Sequence, residues 1–314
     1  MTFLHPLSRR SFLASTAALL AACQTTAPTP PPAATTPQAF PTPPRPPRLG
    51  LALGGGAARG FAHIGVIKAL EAQGIVPDLI VGTSAGSVVG ALYAGGFNGF
   101  ELQRLALQMD ENSIADWSMP ARGVLRGEAL QNFINKALDG RPIEALPRKL
   151  AITATDLQTG ELVVFERGNT GMAVRASSSV PTVFQPVLIN GREYVDGGLV
   201  SPVPAGVARR LGADIVIAVD ISTRPAAQSV AGSVDVLLQT FAIMGQSIAT
   251  HELQEADVVI RPALGAVRGT DFAARNLSIL EGEAAASAHM KRIQALIQEG
   301  SARAKTRPAA PVQR

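Results

Sequence analysis

The sequence predicts an α/β fold in which a central, mainly parallel β-sheet is flanked by helices. Short, continuously apolar segments recur along the chain, helical segments follow several of them, and glycine-rich turns lie between the two. A strand without polar alternation is buried on both faces, which is typical of a parallel sheet covered by helices. The chain has 314 residues, of which 46% are hydrophobic and 17% charged, so it can form a large core and is too apolar to be disordered throughout.

The first part of this fold alternates strands and helices. Leu49–Leu53 is predicted as a strand that ends in three glycines, and Phe61–Gln73 as a helix that Gly74 closes. Asp78–Val81 is predicted as the next strand and Ser87–Ala94 as the next helix. Two strand–helix units in succession indicate the parallel part of the sheet.

Two hairpins are predicted farther along the chain. Leu150–Thr155 and Glu161–Phe165 flank the segment Asp156–Gly160, whose aspartate is interpreted as a turn former. Ile189–Arg192 predicts a tight turn that leads into the strand Tyr194–Asp196. The sheet is therefore expected to contain antiparallel pairs as well.

The C-terminal third continues the same kinds of element. Further strands are predicted at Asp214–Val219 and Val258–Arg261, and further helices at Val234–Leu253 and Glu281–Gln298. Residues 212–300 are interpreted as an extension of the same domain or as a cap. Residues 301–314 hold four basic residues, two prolines and no acidic residue, and are predicted as a solvated, disordered tail.

The N-terminus has the pattern of an export signal. Arg9 and Arg10 precede an uncharged, apolar stretch that is too short to span a bilayer, and the paired arginines resemble a twin-arginine signal. The segment Leu20–Cys23 resembles the lipobox of bacterial lipoproteins. Residues 1–22 are therefore predicted as a signal peptide, and Cys23 as the lipidated first residue of the mature chain.

A proline-rich segment follows the predicted lipidation site. Ten of the 23 prolines lie between Ala27 and Pro47, and such a stretch forms an extended, semi-rigid spacer. Residues 23–48 are therefore predicted as a lipidated cysteine with its linker. The expected location is the bacterial cell envelope, anchored to a membrane by lipid on the periplasmic side. Gln24 favours the outer membrane because it is not the aspartate associated with inner-membrane retention.

Composition excludes several classes of protein. The formal net charge is +4, and no Lys/Arg cluster with interleaved aromatic residues is present, so nucleic-acid binding is not expected. The single cysteine excludes a disulfide framework and a cysteine-rich metal site. No metal ion or cofactor is expected.

The pentapeptide Gly82–Gly86 places Ser84 between a predicted strand and a predicted helix. A serine on such a sharp turn is forced into a strained backbone that projects its hydroxyl, and small residues two positions away on each side relieve the crowding. The helix N-terminus that follows can stabilise a developing negative charge. Ser84 is therefore a candidate nucleophile, although the pattern alone also fits a glycine-rich turn.

The segment Gly54–Gly60 follows the first strand and exposes several amides at a helix start, which is typical of an anion site. A P-loop would need Lys-Ser/Thr after the last glycine, where Phe61 stands, and a dinucleotide site would need glycine in place of Arg59. No nucleotide is therefore expected, and the oxyanion of a tetrahedral intermediate remains the favoured anion. Arg59 is expected to brace this glycine loop, with contact to a phosphate group as the alternative.

A serine nucleophile needs a base. After removal of the signal the histidines are His63, His251 and His289, and none clearly follows a strand. Asp196 ends a predicted strand beside two glycines that permit a close backbone approach, which makes it a candidate base, although an aspartate there also fits a simple turn. A Ser–His–Asp arrangement that uses His251 is the alternative.

Three segments in this order, Gly54–Gly60, Gly82–Gly86 and Asp196-Gly197-Gly198, resemble the motifs of the patatin-like phospholipase family of serine acyl hydrolases. Arg175–Pro186 is similar to the family segment that precedes the aspartate strand. The resemblance covers residues 49–211, which are therefore expected to form a patatin-like catalytic core with that family's three-layer fold.

The resemblance implies a Ser–Asp dyad without histidine, in which Ser84 is the nucleophile and Asp196 is the base and later the acid. The implied oxyanion hole consists of Gly54, Gly55, Gly56 and Ala57. The residues implied to support the motifs are Arg59, Gly60, Gly82, Gly86, Gly197 and Gly198. The expected function is hydrolysis of acyl esters of phospholipids or lysophospholipids through an acyl-enzyme. The alternative is a catalytically silent envelope lipoprotein of the same fold that binds lipid or a partner.

Overall fold

An eight-stranded β-sheet organises the part of the chain that the computed structural model describes, residues 45–109, 123–222, 232–265 and 267–306. The strands are β1 Leu49–Leu53, β2 Leu79–Thr83, β3 Gly123–Leu125, β4 Lys149–Asp156, β5 Leu162–Phe165, β6 Thr182–Phe184, β7 Val187–Ile189, β8 Arg192–Asp196, β9 Ile215–Val219 and β10 Val258–Ile260. The α-helices are α1 Phe61–Glu71, α2 Ala85–Ala94, α3 Gly99–Gln108, α4 Glu128–Ala137, α5 Thr170–Ser177, α6 Ala205–Arg210, α7 Ser233–Glu252 and α8 Arg275–Thr306.

The central sheet is mainly parallel, as the sequence predicts. Its strand order is β10-β9-β1-β2-β4-β8-β7, with β5 also paired to β4, and the first five of these strands run parallel to one another. The antiparallel pairs are β4–β5, β4–β8 and β7–β8, which include both predicted hairpins. Strands β3 and β6 form a separate parallel pair.

Helices cover both faces of this sheet. Successive residues of a strand point to opposite faces, so each strand contributes side chains to both cores. In β1, Leu51 and Leu53 join the core that α1, α2 and α8 cover, whereas Ala52 joins the core beneath α6 and α7. All of the β1 and β2 residues are buried, which explains their continuously apolar sequence. The result is the three-layer α/β arrangement that the resemblance implies.

The C-terminal third belongs to this core. Strand β9 pairs with β1 along its whole length, β10 pairs with β9, and α8 packs against α1. Strands β9 and β10 thus form one edge of the central sheet. Helix α8 also continues to Thr306, into the segment predicted as a disordered tail, because no proline occurs between Arg275 and Pro308.

Contacts with the folded body begin just before the predicted boundary at Arg48. The Arg45 guanidinium pairs with the Asp214 carboxylate at 2.5 Å, and the Arg48 amide donates to the same carboxylate at 2.7 Å. The predicted signal peptide, Cys23 and the linker as far as residue 44 lie outside the described residues. Among the helices that the structure describes, none combines the length and apolarity needed to cross a bilayer.

Candidate active site

Ser84 lies on a strained turn between β2 and α2. Its φ is 52° and its ψ is −123°, a conformation that a residue with a side chain rarely adopts. A Cβ at Gly82 would lie 2.6 Å from the Gly86 carbonyl oxygen, and one at Gly86 would lie 2.1 Å from the Leu53 carbonyl oxygen. Both glycines are therefore required for this turn to form, as the pentapeptide pattern predicts.

The structure brings Ser84 and Asp196 together. The Ser84 Oγ donates a hydrogen bond to Asp196 Oδ2 at 2.7 Å, across 112 positions of sequence. Asp196 is the last residue of β8 and pairs with Ala154 of β4, and the preceding residues of β4 pair with β2, which ends at Thr83 directly before the nucleophile. Gly197 permits this approach, because a Cβ there would lie 2.6 Å from the Thr153 carbonyl oxygen.

Burial determines the acidity of Asp196. Its exposed fraction is 6%, and burial raises the pKa of its carboxyl group to about 6, although hydrogen bonds from Ser84 and from the Gly198 amide (2.7 Å) act to lower it. The carboxylate form therefore predominates at neutral pH. A carboxylate in contact with a serine hydroxyl can accept its proton, which is what a general base must do.

The segment that precedes the aspartate strand holds the turn in place. The Ser84 amide donates to Ser177 Oγ at 2.8 Å, and the Asp196 amide donates to the Ser179 carbonyl oxygen at 3.0 Å. The sequence predicts no role for either serine. Their only signal was their place within the segment Arg175–Pro186.

Two of the four glycine-loop amides that were predicted to bind the oxyanion are already used in other hydrogen bonds. The Gly54 amide donates to the Val219 carbonyl oxygen at 3.0 Å and the Gly55 amide to the Pro202 carbonyl oxygen at 2.9 Å, so neither is free to bind an oxyanion. Gly54 and Gly55 are therefore corrected from oxyanion donors to residues that fix the loop, because their amides serve the native hydrogen bonding of β9 and of the segment after Asp196.

Other amides of the loop and of the serine turn are available. Among the described residues, the amides of Gly56, Ala57 and Ala85 have no hydrogen-bond partner. The loop packs directly on the serine turn, since a Cβ at Gly55 would lie 3.2 Å from Ser84 Cβ and one at Gly60 would lie 2.7 Å from Ala85 Cβ. The amide after the nucleophile and two amides of a neighbouring loop are the donors that an oxyanion hole requires.

Arg59 braces the loop, as predicted. Its buried guanidinium donates to the carbonyl oxygens of Val267 at 2.9 Å, Leu264 at 2.8 Å and Ser222 at 2.9 Å. These acceptors all lie C-terminal to β9. The side chain therefore ties the glycine loop to the last third of the chain.

The histidines do not complete a triad among the described residues. His63 is fully buried in α1 and donates through Nε2 to the Gly54 carbonyl oxygen at 2.8 Å, and burial lowers its pKa to about 4. His251 is exposed near the end of α7, and no hydrogen bond joins it to Ser84 or Asp196. His289 lies on α8, where its Nδ1 is 2.9 Å from the Ala285 carbonyl oxygen.

An apolar cavity of about 210 Å³ opens on Ser84. Its wall comes from α1, α2, α3, α4 and the turn of the nucleophile. The lining side chains are almost all apolar and include Ile64, Val88, Leu105, Leu130, Phe133 and Phe272. A cavity of this character accommodates a hydrocarbon chain whose polar end reaches the serine.

Comparisons with known proteins point to one family. Residues 51–209 match the family model described as patatin-like phospholipase. An uncharacterised NTE family protein of Mycobacterium bovis is 39% identical over 179 residues, which cover 56% of this chain and 49% of that protein. Patatin-like phospholipase domain-containing protein 6 of Mus musculus is 33% identical over 184 residues, which cover 56% of this chain and 14% of that protein. The chain therefore aligns with half or less of each of these relatives.

Among solved structures, VipD from Legionella pneumophila is similar in fold. Its TM-score is 0.53 at 15% sequence identity, and the match covers 82% of this chain and 67% of that chain. At this identity the likeness concerns the fold, and it extends beyond the residues that the family model matches.

Proposed function

The chain belongs to the patatin-like phospholipase family of lipid hydrolases, and on that premise we propose that it cleaves acyl esters of phospholipids or lysophospholipids with a Ser84–Asp196 dyad. The observation that carries the proposal is the hydrogen bond of 2.7 Å from Ser84 Oγ to the buried Asp196 carboxylate. No described histidine bonds to either residue. The carboxylate is thus the proposed base.

The first half of the reaction forms an acyl-enzyme. Asp196 accepts the Ser84 proton while Oγ attacks the acyl carbonyl carbon, and the amides of Gly56, Ala57 and Ala85 stabilise the oxyanion. The tetrahedral intermediate collapses, the ester bond breaks, and Asp196 gives its proton to the departing alcohol. In deacylation, Asp196 takes a proton from water while the resulting hydroxide attacks the acyl carbonyl carbon. The bond between Ser84 Oγ and the acyl group then breaks, Asp196 returns its proton to Oγ, and the fatty acid leaves.

The apolar cavity supports a long-chain acyl substrate. Side chains such as Leu105 and Phe133 line the cavity beside Ser84 and offer no charge. Burying each methylene of an acyl chain there is worth about 0.8 kcal/mol. A lipid ester is therefore favoured over a polar ester of the same reactivity.

We also propose that the protein acts at a bacterial envelope membrane, held by lipid on Cys23 on the periplasmic side. The support is the order of paired arginines, apolar stretch, lipobox and proline-rich segment in the sequence. A lipid anchor would keep the enzyme beside its substrate.

The test is hydrolysis of a mixed phospholipid extract by the purified full chain, with released products identified by mass spectrometry. Ser84→Ala and Asp196→Asn are each expected to lower the rate on the order of 10⁴-fold or more, because each removes a group that takes part in bond making. A fluorophosphonate is expected to label Ser84. His251→Ala is the matched control and should leave the rate unchanged.

Each other outcome has a definite meaning. Product release that persists in Ser84→Ala would refute the dyad, and a loss in His251→Ala would favour a Ser–His–Asp arrangement. A folded wild-type protein that neither hydrolyses lipid nor reacts with the fluorophosphonate would favour the catalytically silent lipoprotein.

A further inference from the structure

Glu252 lies outside the residues that match the family model, yet it contacts a segment of the active site. It is the last residue of α7. Its carboxylate accepts hydrogen bonds from the Ser201 hydroxyl and, at 3.0 Å, from the Val203 amide. The two oxygens thus hold both ends of the segment Ser201–Val203.

That segment in turn holds two parts of the site. The Thr83 hydroxyl, one residue before the nucleophile, donates to the Ser201 carbonyl oxygen at 2.8 Å. The Gly55 amide donates to the Pro202 carbonyl oxygen at 2.9 Å. One short segment therefore bonds to both the strand of Ser84 and the loop that presents the Gly56 and Ala57 amides.

The setting of Glu252 is that of a structural acceptor. Ser201 and Val203 are fully buried, so their donors need a protein partner. Burial raises the pKa of the Glu252 carboxyl group to about 7, against the hydrogen bonds from Ser201 and Val203, which lower it. A group with this pKa is partly neutral at pH 7, so its ability to accept hydrogen bonds matters more than its charge.

We infer that Glu252 is a positioning residue for the active site, whose carboxylate fixes Ser201–Val203 and through them the glycine loop and the nucleophile strand. The catalytic part of this inference rests on the proposed hydrolase function. Displacing catalytic groups by about 1 Å can cost 10²-fold in rate without touching the substrate. The effect of losing Glu252 should therefore fall on kcat rather than on KM.

Two substitutions separate position from charge. Glu252→Gln loses the charge but can accept from Val203 through its oxygen and donate to Ser201 through its nitrogen. Glu252→Asp keeps the charge but withdraws the carboxylate by one methylene, so it cannot hold both donors. Glu255→Asp makes the same change at an exposed carboxylate three residues away and is the matched control.

With full-length protein and a lipid ester, we expect kcat to fall about 10²-fold in Glu252→Asp with KM little changed. Glu252→Gln should keep kcat within about threefold of wild type, because glutamine can still bond to Ser201 and Val203. Glu255→Asp should have the kcat of wild type, because it leaves Glu252 unchanged. A retained kcat in Glu252→Asp, or equal losses in the Gln and Asp variants, would overturn the inference.

A readout without substrate keeps the inference separate from the proposed function. By hydrogen exchange and mass spectrometry, the glycine-loop peptide should exchange about tenfold faster in Glu252→Asp than in wild type or Glu252→Gln, because the acceptor of the Gly55 amide is loosened. Unchanged exchange would overturn the positioning role even if the wild-type chain proved inactive. Should Glu252→Asp not fold, Ser201→Ala takes its place, and full kcat with unchanged exchange there would have the same meaning.

Discussion

The Asp196 carboxyl group carries a cost for the stability of the fold. Its pKa is raised by burial from 3.8 to about 6, which corresponds to about 3 kcal/mol at 1.36 kcal/mol per unit. The folded protein therefore binds this proton more tightly than the unfolded chain does. Below about pH 3.8 the carboxyl group is protonated in both states and does not reduce stability. As the pH rises from about 3.8 to about 6, the group ionises more readily in the unfolded chain, so the free energy of unfolding falls.

Asp196→Asn should therefore raise stability at alkaline pH while it abolishes activity. Asparagine cannot ionise, and its side chain can still accept from Gly198 and donate to Ser84. We expect the midpoint of thermal unfolding to exceed that of wild type at pH 8 and the difference to vanish towards pH 4. Calorimetry at the two pH values measures this. A difference that is independent of pH would show that Asp196 does not bear the penalty.

At the scale of residues, the sequence identifies the side chains of the site better than it identifies the backbone amides that are free to bind an oxyanion. Ser84 and Asp196 are identifiable because each sits in a glycine pattern at the end of a strand. The hydrogen bonds of the Gly54 and Gly55 amides could not be predicted, since their acceptors at Val219 and Pro202 are far along the chain and become neighbours only in the folded protein. Glu252 gave no sequence signal for the same reason.

Helices α1 and α8 meet at two glycines. A Cβ at Gly65 would lie 1.9 Å from the Ile279 carbonyl oxygen, and one at Gly282 would lie 2.0 Å from the Ala62 carbonyl oxygen. Backbone thus contacts backbone at this crossing. The close approach seats α8 on the helix that begins at the glycine loop.

Gly65→Ala should therefore destabilise the protein, although alanine is the better helix former. Inserting a methyl group against backbone forces the two helices apart, and we expect a loss of at least about 2 kcal/mol in the free energy of unfolding. Gly245→Ala in α7 is the matched control, because no atom lies within 4 Å of its Cβ position. That variant should gain about 0.5–1 kcal/mol. Denaturant titrations compare the two, and equal effects would contradict the role of the crossing.

At the scale of elements, apolar periodicity predicts existence and type more reliably than ends. The strands and hairpins that were predicted occur close to their predicted positions, whereas β3 and β6 were not predicted. The turn after β4 forms because Asp156 accepts from the Gln158 and Thr159 amides at 3.0 Å. Helix α8 begins at Arg275 and not at Glu281, because its first turns are stabilised by packing against α1 and α3. Such packing is not visible in local sequence.

Across the whole molecule, the active site depends on residues beyond the family match. Strand β9 supplies the Val219 acceptor for Gly54, and Arg59 reaches the carbonyl oxygens of Leu264 and Val267. Alternation of strands and helices predicts a parallel sheet, but it cannot give the strand order. The placement of β9 beside β1 is therefore the main feature of the fold that required the structure.

A chain that ends at Leu211 should consequently fail to fold. It would lack β9, β10 and α8 and would expose one hydrogen-bonding edge of β1 and the apolar face of α1. We expect no cooperative thermal transition and no fluorophosphonate labelling. A chain that ends at Thr306 keeps every described element and is the control. A cooperative transition in the shorter chain would show that the matched region is autonomous.

The two strands that flank β1 in the sheet are synthesised at different times. Strand β2 follows β1 closely in sequence. Strand β9, the other partner of β1, lies 166 residues after β1, which is also the separation between Arg48 and Asp214. At about 5–20 residues per second of synthesis, β1 waits roughly 10–30 s for that partner to emerge. Throughout this interval a wholly apolar strand has one unpaired edge. We therefore expect the nascent chain to be prone to aggregation until synthesis of the last third is complete.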